Sequence, residues 1–288
     1  MGKTSFAAKI PDSLLLAFEI GYHAIPGLKA VDIDKWATFK LVLKQLEKPD
    51  AKKMYKSVII DTATIAYDYA EQYICMQNGV DRIGDIPYGA GFSACKTEFA
   101  NAFRKLSQLG YGIVFISHAE KRVVKDEKDN EIKILCPDLQ KRAAQVIEPM
   151  VDVIGMIDCV VKEDGSSERW LYTRKTPTIM AGSRWQYLDP KIPFGYEELV
   201  DAIGRAIEKE VEQGAKVSDV TTSVQGEDIS YTDILEEARK LWSLFGDDQK
   251  RKVMEKSSEI FGHAVKLSEI PESQKDLFYL LLVEMRDM

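Results

Sequence analysis

The chain has 288 residues, 45% of them hydrophobic and 30% charged, and a formal charge of −7 from 39 Lys and Arg against 46 Asp and Glu. That length suits one ordinary domain plus an appendage around a real core. The composition excludes disordered and fibrous classes, and the acidic balance excludes a protein that coats duplex DNA by charge alone.

In chain order, Ser13 to Phe18 is a short apolar run after Pro11, with the length of a buried strand. Asp34 to Leu46 then spaces Trp36, Phe39, Leu43 and Leu46 as a helix face, and Lys56 to Asp61 is a second apolar strand. Strand, helix, strand is the grammar of a parallel sheet. Phe92 to Leu109 is a helix stopped at Gly110, feeding the continuous apolar strand Gly112 to Ser117, and such runs suit strands buried on both faces. Asp138 to Ile147 reads as a helix halted near Pro149. Val151 to Val161 and Arg169 to Arg174 read as two strands about a turn at Asp164-Gly165, expected as an antiparallel edge of the same sheet.

Tyr196 to Gln213 is helical by its period, and Gly214 to Ser230 is polar and aperiodic, as linkers are. Ser230 with Asp233 opens a helix through Phe245, Asp247 to Phe261 is a second helix ending at Gly262, and Pro271 precedes a third. The expected organisation is an α/β core over 1–213, a linker over 214–230 and a helical module over 231–288. Trp242, Phe245, Phe261 and Phe278 could meet a protein partner, but at helical spacing they serve first as that module's own core. Cys75, Cys95, Cys136 and Cys159 form no CxxC pair and have no histidines at zinc spacing, so neither a disulfide framework nor a metal centre is signalled. With no basic-then-apolar leader and no apolar run of membrane length, a cytoplasmic protein is expected.

Gly2-Lys3-Thr4-Ser5 carries the chemistry of a phosphate-binding loop, in which the lysine reaches the β and γ phosphates and the hydroxyl holds magnesium. Gly-Lys-Thr also arises by chance, but Val58-Ile59-Ile60-Asp61 follows in the right order, a strand ending in the carboxylate that steadies the magnesium ion beside Thr4. Glu19 ends the earlier strand at the carboxyl edge, where open α/β sheets gather ligands, and could activate a water. His118 ends the later strand and could sense the γ-phosphate, although a lone histidine is as often structural.

This order of parts resembles the RecA-like P-loop ATPases, and among them the phage-encoded RecA-like ATP-binding proteins associated with single-strand annealing, which carry an AAA-type P-loop domain. The carrying segments are MGKTSF, LLLAFEIGYHAI, KSVIIDTAT, GIVFISHAEKR, PMVDVIGMID and YTRKTPTIMAGSR. The resemblance implies a mostly parallel sheet flanked by helices, ATP and Mg2+ as ligands, Glu19 as the catalytic carboxylate and His118 as the polar sensor. It implies DNA-facing loops over about 78–92 and 121–139, holding Arg82 and Tyr88, then Lys121, Arg122 and Lys125, a mixture able to meet phosphates and stack a base. It further implies a homo-oligomer with ATP between subunits, Arg174-Lys175 reaching the neighbour's nucleotide with Arg184 as a second candidate, single-stranded DNA as partner, and the host cytoplasm as the setting if phage-encoded.

The sequence departs from that pattern at its start. The family's first strand and the leading Gly-x-x-x-x half of its loop are not seen before Gly2, which implies a shortened chain or a degenerate one, two strands with unmatched edges and weakened nucleotide affinity. Two further readings stand beside the DNA-dependent ATPase: a scaffold that keeps the fold and binds DNA or protein without turnover, and a small-molecule kinase, which the absence of an arginine-rich lid disfavours.

Overall fold

The structure, a computed structural model, describes residues 2–125, 129–162, 164–215, 229–263 and 265–288. The chain divides into two compact units, Met1–Val217 and Ser218–Met288. Most of the expected linker, residues 216–228, lies outside the described residues, as do residues 126–128 of the second expected DNA-facing loop.

The first unit is built on a four-stranded parallel sheet of order β2-β1-β3-β4, formed by β1 (Ser13–Ala17), β2 (Ala30–Asp32), β3 (Ser57–Asp61) and β4 (Gly112–Ile116). Alternate side chains leave a strand on opposite faces, and both faces are filled. Leu14, Leu16, Phe18, Val58 and Ile60 meet Trp36, Phe39 and Leu43 of α2 (Trp36–Leu46), Tyr67 of α4 (Ala63–Asn78), and Phe99 and Phe103 of α5 (Ala90–Gln108). Leu15, Ala17, Ile59 and Ile116 pack on the other face with Ala7 of the short α1 (Lys3–Ala7). Three helices therefore cover one face, while α1 lies on the other. A further short helix, α3 (Pro49–Met54), precedes β3.

Three differences from the sequence reading have physical causes. The stretch expected as loop from Lys121 is largely an antiparallel pair, β5 (Ala119–Lys125) with β6 (Glu131–Pro137), in register from Ala119 opposite Pro137 to Lys125 opposite Glu131. β5 is exposed at six of its seven positions, so no apolar alternation marks it, and β6 alternates only over the short run Glu131-Ile132-Lys133-Ile134. The strand expected over 151–161 is two, β7 (Val153–Ile154) and β8 (Met156–Val161), broken at Gly155, where a Cβ would lie 2.7 Å from Leu171. A side chain there would have to displace the tip of the Leu171 side chain.

The third difference concerns the antiparallel edge. β8 pairs with β9 (Ser167–Tyr172), which pairs with β11 (Lys191–Pro193), in a sheet of its own, and β10 (Gly182–Ser183) pairs with β7. Among the described residues no strand lies on the outer side of β4 or of β8. The strands of the second half are thus not an extension of the parallel sheet. Helices α6 (Lys141–Ile147) and α7 (Tyr196–Glu212) complete the unit.

The second unit packs α8 (Tyr231–Leu244), α9 (Asp247–Phe261) and α10 (Lys275–Arg286) around Ile234, Ala238, Val253, Ile270, Phe278, Leu281, Leu282 and Met285. Ser230 caps α8 by accepting from the Asp233 backbone N–H at 3.1 Å, and Gly262 ends α9 at φ 75°. Phe278 is fully buried and Trp242, Phe245 and Phe261 pack partly buried against this core, so these aromatics hold the module together. No helix among the described residues is long and apolar enough to cross a membrane.

Candidate functional site

Strand register brings the carboxyl ends of β1, β3 and β4 level, with Ala17 opposite Asp61 and Asp61 opposite Ile116. Glu19 and His118 each lie two residues past the end of a flanking strand, so they arrive on either side of Asp61. The junction is pinned by backbone: the Phe18 and Glu19 N–H groups both donate to the Asp61 carbonyl, at 2.7 and 3.0 Å. His118 Nε2 lies 3.2 Å from Glu19 Oε2, joining two residues 99 positions apart.

From the other face α1 delivers Thr4, whose Oγ1 donates to Asp61 Oδ2 at 2.6 Å. Helix α1 is only one turn and a half, and tertiary packing fixes it. Phe6 stacks on Phe194 with centroids 5.2 Å apart and meets the edge of Tyr196 at 6.1 Å, while Lys9 pairs with Glu197 at 3.0 Å. Gly2 precedes the helix at φ 105°, a left-handed conformation that glycine adopts without steric cost.

The electrostatics identify Asp61 as the centre. Burial pushes its carboxyl above the ordinary value, the Thr4 hydroxyl opposes this, the Glu19 carboxylate adds to it, and Lys3 and His118 pull the other way. Burial wins, which leaves a carboxylate that gains from a cation. Lys3, Thr4, Glu19, Asp61 and His118, singled out from separate segments, thus converge on one point. Ser5, on the same turn, is exposed.

The remaining sequence candidates lie elsewhere. Arg174 is spent on the backbone carbonyls of Ser183 at 2.8 Å, Trp185, and Gln186 at 2.7 Å, which ties the loop after β9, whereas its neighbour Lys175 is exposed. Arg184 bonds Asp152 at 2.9 Å and the Pro149 carbonyl. Arg82 precedes a 3-10 turn over Ile83–Asp85, and Tyr88, at φ 58°, is fully exposed between that turn and α5. Lys121, Arg122 and Lys125 lie along exposed β5, with Arg122 bonded to Glu120 and to the Leu139 carbonyl and Lys125 paired with Asp129 at 2.9 Å. The residues that sequence reasoning missed are Phe194, Tyr196 and Glu197, which seat α1, and Arg169, which abuts Gly2. No local pattern announces any of them, because their partners are more than 150 positions away.

The fit of a magnesium nucleotide can be judged from the donor set. Among the described residues no group of three or more His, Cys, Asp or Glu side chains could hold a metal unaided. Thr4 and Asp61 supply two adjoining hard oxygens beside a lysine, which suits Mg2+, an ion that takes few protein ligands and completes its shell with phosphate oxygens and water.

An α/β fold whose short glycine-lysine-threonine turn faces a strand-end aspartate defines the class of P-loop nucleotide-binding proteins. Residues 1–185 match the AAA domain family (AAA_24), and the chain belongs to that family, whose members generally bind ATP with Mg2+. It is also similar to the SPbeta prophage-derived uncharacterized protein YorG of Bacillus subtilis (strain 168), with 30% identity over 301 aligned positions that span 100% of this chain and 90% of YorG. No solved structure matches the chain.

Proposed function

We propose that the protein is a RecA-like ATPase that binds single-stranded DNA and hydrolyses ATP between adjacent copies of itself. The observation that carries the reading is the meeting at one sheet edge of two bonded pairs, Thr4 with Asp61 at 2.6 Å and Glu19 with His118 at 3.2 Å. In this reading Lys3 binds the phosphates and Thr4 with Asp61 hold the magnesium ion, which supplies positive charge to the phosphate oxygens. Glu19 accepts a proton from a water whose oxygen bonds to the γ-phosphorus as the bond to the bridging oxygen of ADP breaks. His118 orients the Glu19 carboxylate through their shared hydrogen bond.

DNA binding is drawn from β5, which begins one residue after His118 and carries Lys121, Arg122 and Lys125 on an exposed strand. Tyr88 offers a whole exposed ring for base stacking, and Arg82 is an exposed cation six residues before it. Continuity between His118 and β5 gives a direct route by which DNA and nucleotide could influence one another. For the neighbouring subunit, exposed Lys175 is the residue left to reach across, because Arg174 is occupied in its own loop.

The test is fluorescence anisotropy of a labelled single-stranded oligonucleotide titrated with the protein, with and without Mg-ATP, beside Lys3→Ala. Binding strengthened by ATP in the wild type and indifferent to ATP in the variant is expected. Binding equally strong with and without ATP in the wild type would instead make the protein a scaffold of the same fold.

A further inference from the structure

The Glu19–His118 pair is seated by more than the hydrogen bond the two share. Beyond His118 the chain enters β5, and the β5–β6 ladder continues one rung past Ala119 and Pro137, where the Asp138 N–H donates to the His118 carbonyl at 2.8 Å. That carbonyl also accepts from Ser117 Oγ at 2.7 Å. The Asp138 carbonyl in turn accepts from Thr64 Oγ1 at 2.5 Å. Thr64 stands three residues after Asp61, in the first turn of α4.

These contacts close a ring. From Asp61 the chain runs to Thr64, the Thr64 hydroxyl bonds Asp138, and Asp138 bonds His118. His118 Nε2 then meets Glu19 Oε2 at 3.2 Å, and the Glu19 N–H returns to the Asp61 carbonyl at 3.0 Å. Apart from the Glu19–His118 pair itself, only the Thr64 link is made by a side chain. Two further bonds seat the same segment. Gln140 Nε2 donates to Asp68 Oδ1 at 2.7 Å, one helical turn beyond Thr64 on the same face of α4, and Arg122 Nη2 donates to the Leu139 carbonyl at 2.8 Å. Neither of these reaches Asp138. β6 is tied independently at Leu135, whose backbone bonds those of Thr178 and Met180 at 2.7 and 2.8 Å. Loss of the Thr64 hydroxyl therefore leaves the hairpin in place and loosens the end that carries His118.

We infer that Thr64 is a positioning residue of the catalytic site, whose hydroxyl, acting through the Asp138 backbone, sets His118 against Glu19. This rests on the ATPase reading above, in which Glu19 takes the proton of the attacking water. A base must meet that water at one point, so rate is lost when the group that orients it drifts. The residues given to the nucleotide and its magnesium ion, Lys3, Thr4 and Asp61, do not depend on this bond, so the loss belongs in kcat rather than in KM.

The experiment compares full-length wild type, Thr64→Val, Thr64→Ala and Thr64→Ser by steady-state ATP hydrolysis with single-stranded DNA present. Alongside it, NMR of 15N-histidine-labelled protein without nucleotide follows the His118 Nε2 resonance, with His23 and His263 as internal references. Thr64→Val keeps the shape of the side chain and removes the donor, and is expected to lower kcat about five- to ten-fold, the loss of one hydrogen bond, with KM for ATP unchanged. It should also move the His118 resonance and leave the other two in place. Thr64→Ala gives the same reading should Thr64→Val fail to fold, and Thr64→Ser should return both measurements to near wild type. Wild-type kcat in both Thr64→Val and Thr64→Ala overturns this inference and leaves the ATPase reading standing. A fall in kcat with the His118 resonance unmoved also overturns it, since Thr64 would then act elsewhere. A wild type without ATP turnover overturns both.

Discussion

The carboxyl edge of the parallel sheet and the β5–β6 pair both present charged side chains, but they hold them by opposite means. In β1 and β3 nearly every residue is buried, and Glu19 and Asp61 sit where two strands end in register, pinned by bonds to one carbonyl. Along β5 six of the seven residues are exposed, and what fixes the strand is its ladder to β6 rather than its side chains. The contrast separates chemistry from recognition: a position that must be accurate is set by the core, whereas one that must be charged and accessible is set by backbone alone. Substitutions at the first should therefore act steeply on turnover, and at the second modestly on binding.

The steepest expected effect is that of Glu19→Gln. It keeps the size of the side chain and an acceptor for His118 but removes the base, so ATP turnover should fall by about 10²–10⁴-fold while ATP still binds. Phosphate release and equilibrium binding of a fluorescent ATP analogue, measured side by side, decide this. Turnover within a few-fold of wild type would take the role of base from Glu19.

The exposed strand should behave differently. Among the described residues Arg122 and Lys125 have carboxylate neighbours in Glu120 and Asp129, whereas no ion pair involves Lys121. Lys121→Ala should weaken single-stranded DNA severalfold and reduce the slope of log affinity against log salt by about 0.7, the value for one phosphate contact on a single strand. Its unfolding free energy should stay within about 0.5 kcal/mol of wild type. A loss of DNA affinity with an unchanged salt slope would mean that Lys121 meets no phosphate.

The same contrast explains what could be read from the sequence. Strands β1, β3 and β4 were legible because parallel strands covered on both faces are uninterrupted apolar runs, and their polar terminators Glu19, Asp61 and His118 could be named with them. Helix α4 was not, because its buried face is made of Ala63, Ala66, Tyr67, Ala70, Ile74 and Cys75, with little apolar contrast against its other face. The β5–β6 pair reads as loop because β5 is exposed on both faces and the alternation in β6 runs over only four residues. Arg169 escaped because its neighbours Gly2 and Phe194 are brought to it only by the fold. The split between the two sheets was equally hidden, since pairing partners leave no mark in a strand's own residues.

The smallest effect tests whether Asp61 is placed for a ligand rather than for stability. Its carboxyl is raised above the ordinary value, chiefly by burial. Between the unfolded and folded values the native protein holds a proton that the unfolded chain has released, so stability falls as pH rises through that window and the penalty persists above it. Asp61→Asn removes the penalty and retains an oxygen to accept from Thr4. At pH 7 without ligand the variant should melt about 1–3 °C above wild type, and the gap should close as pH falls toward the ordinary carboxylate range. Mg-ATP should reverse the order, because the wild type alone gains fully from binding. A variant that melts below wild type at pH 7 without ligand would mean that the bond from Thr4 outweighs burial, and that this aspartate serves the fold before it serves a nucleotide.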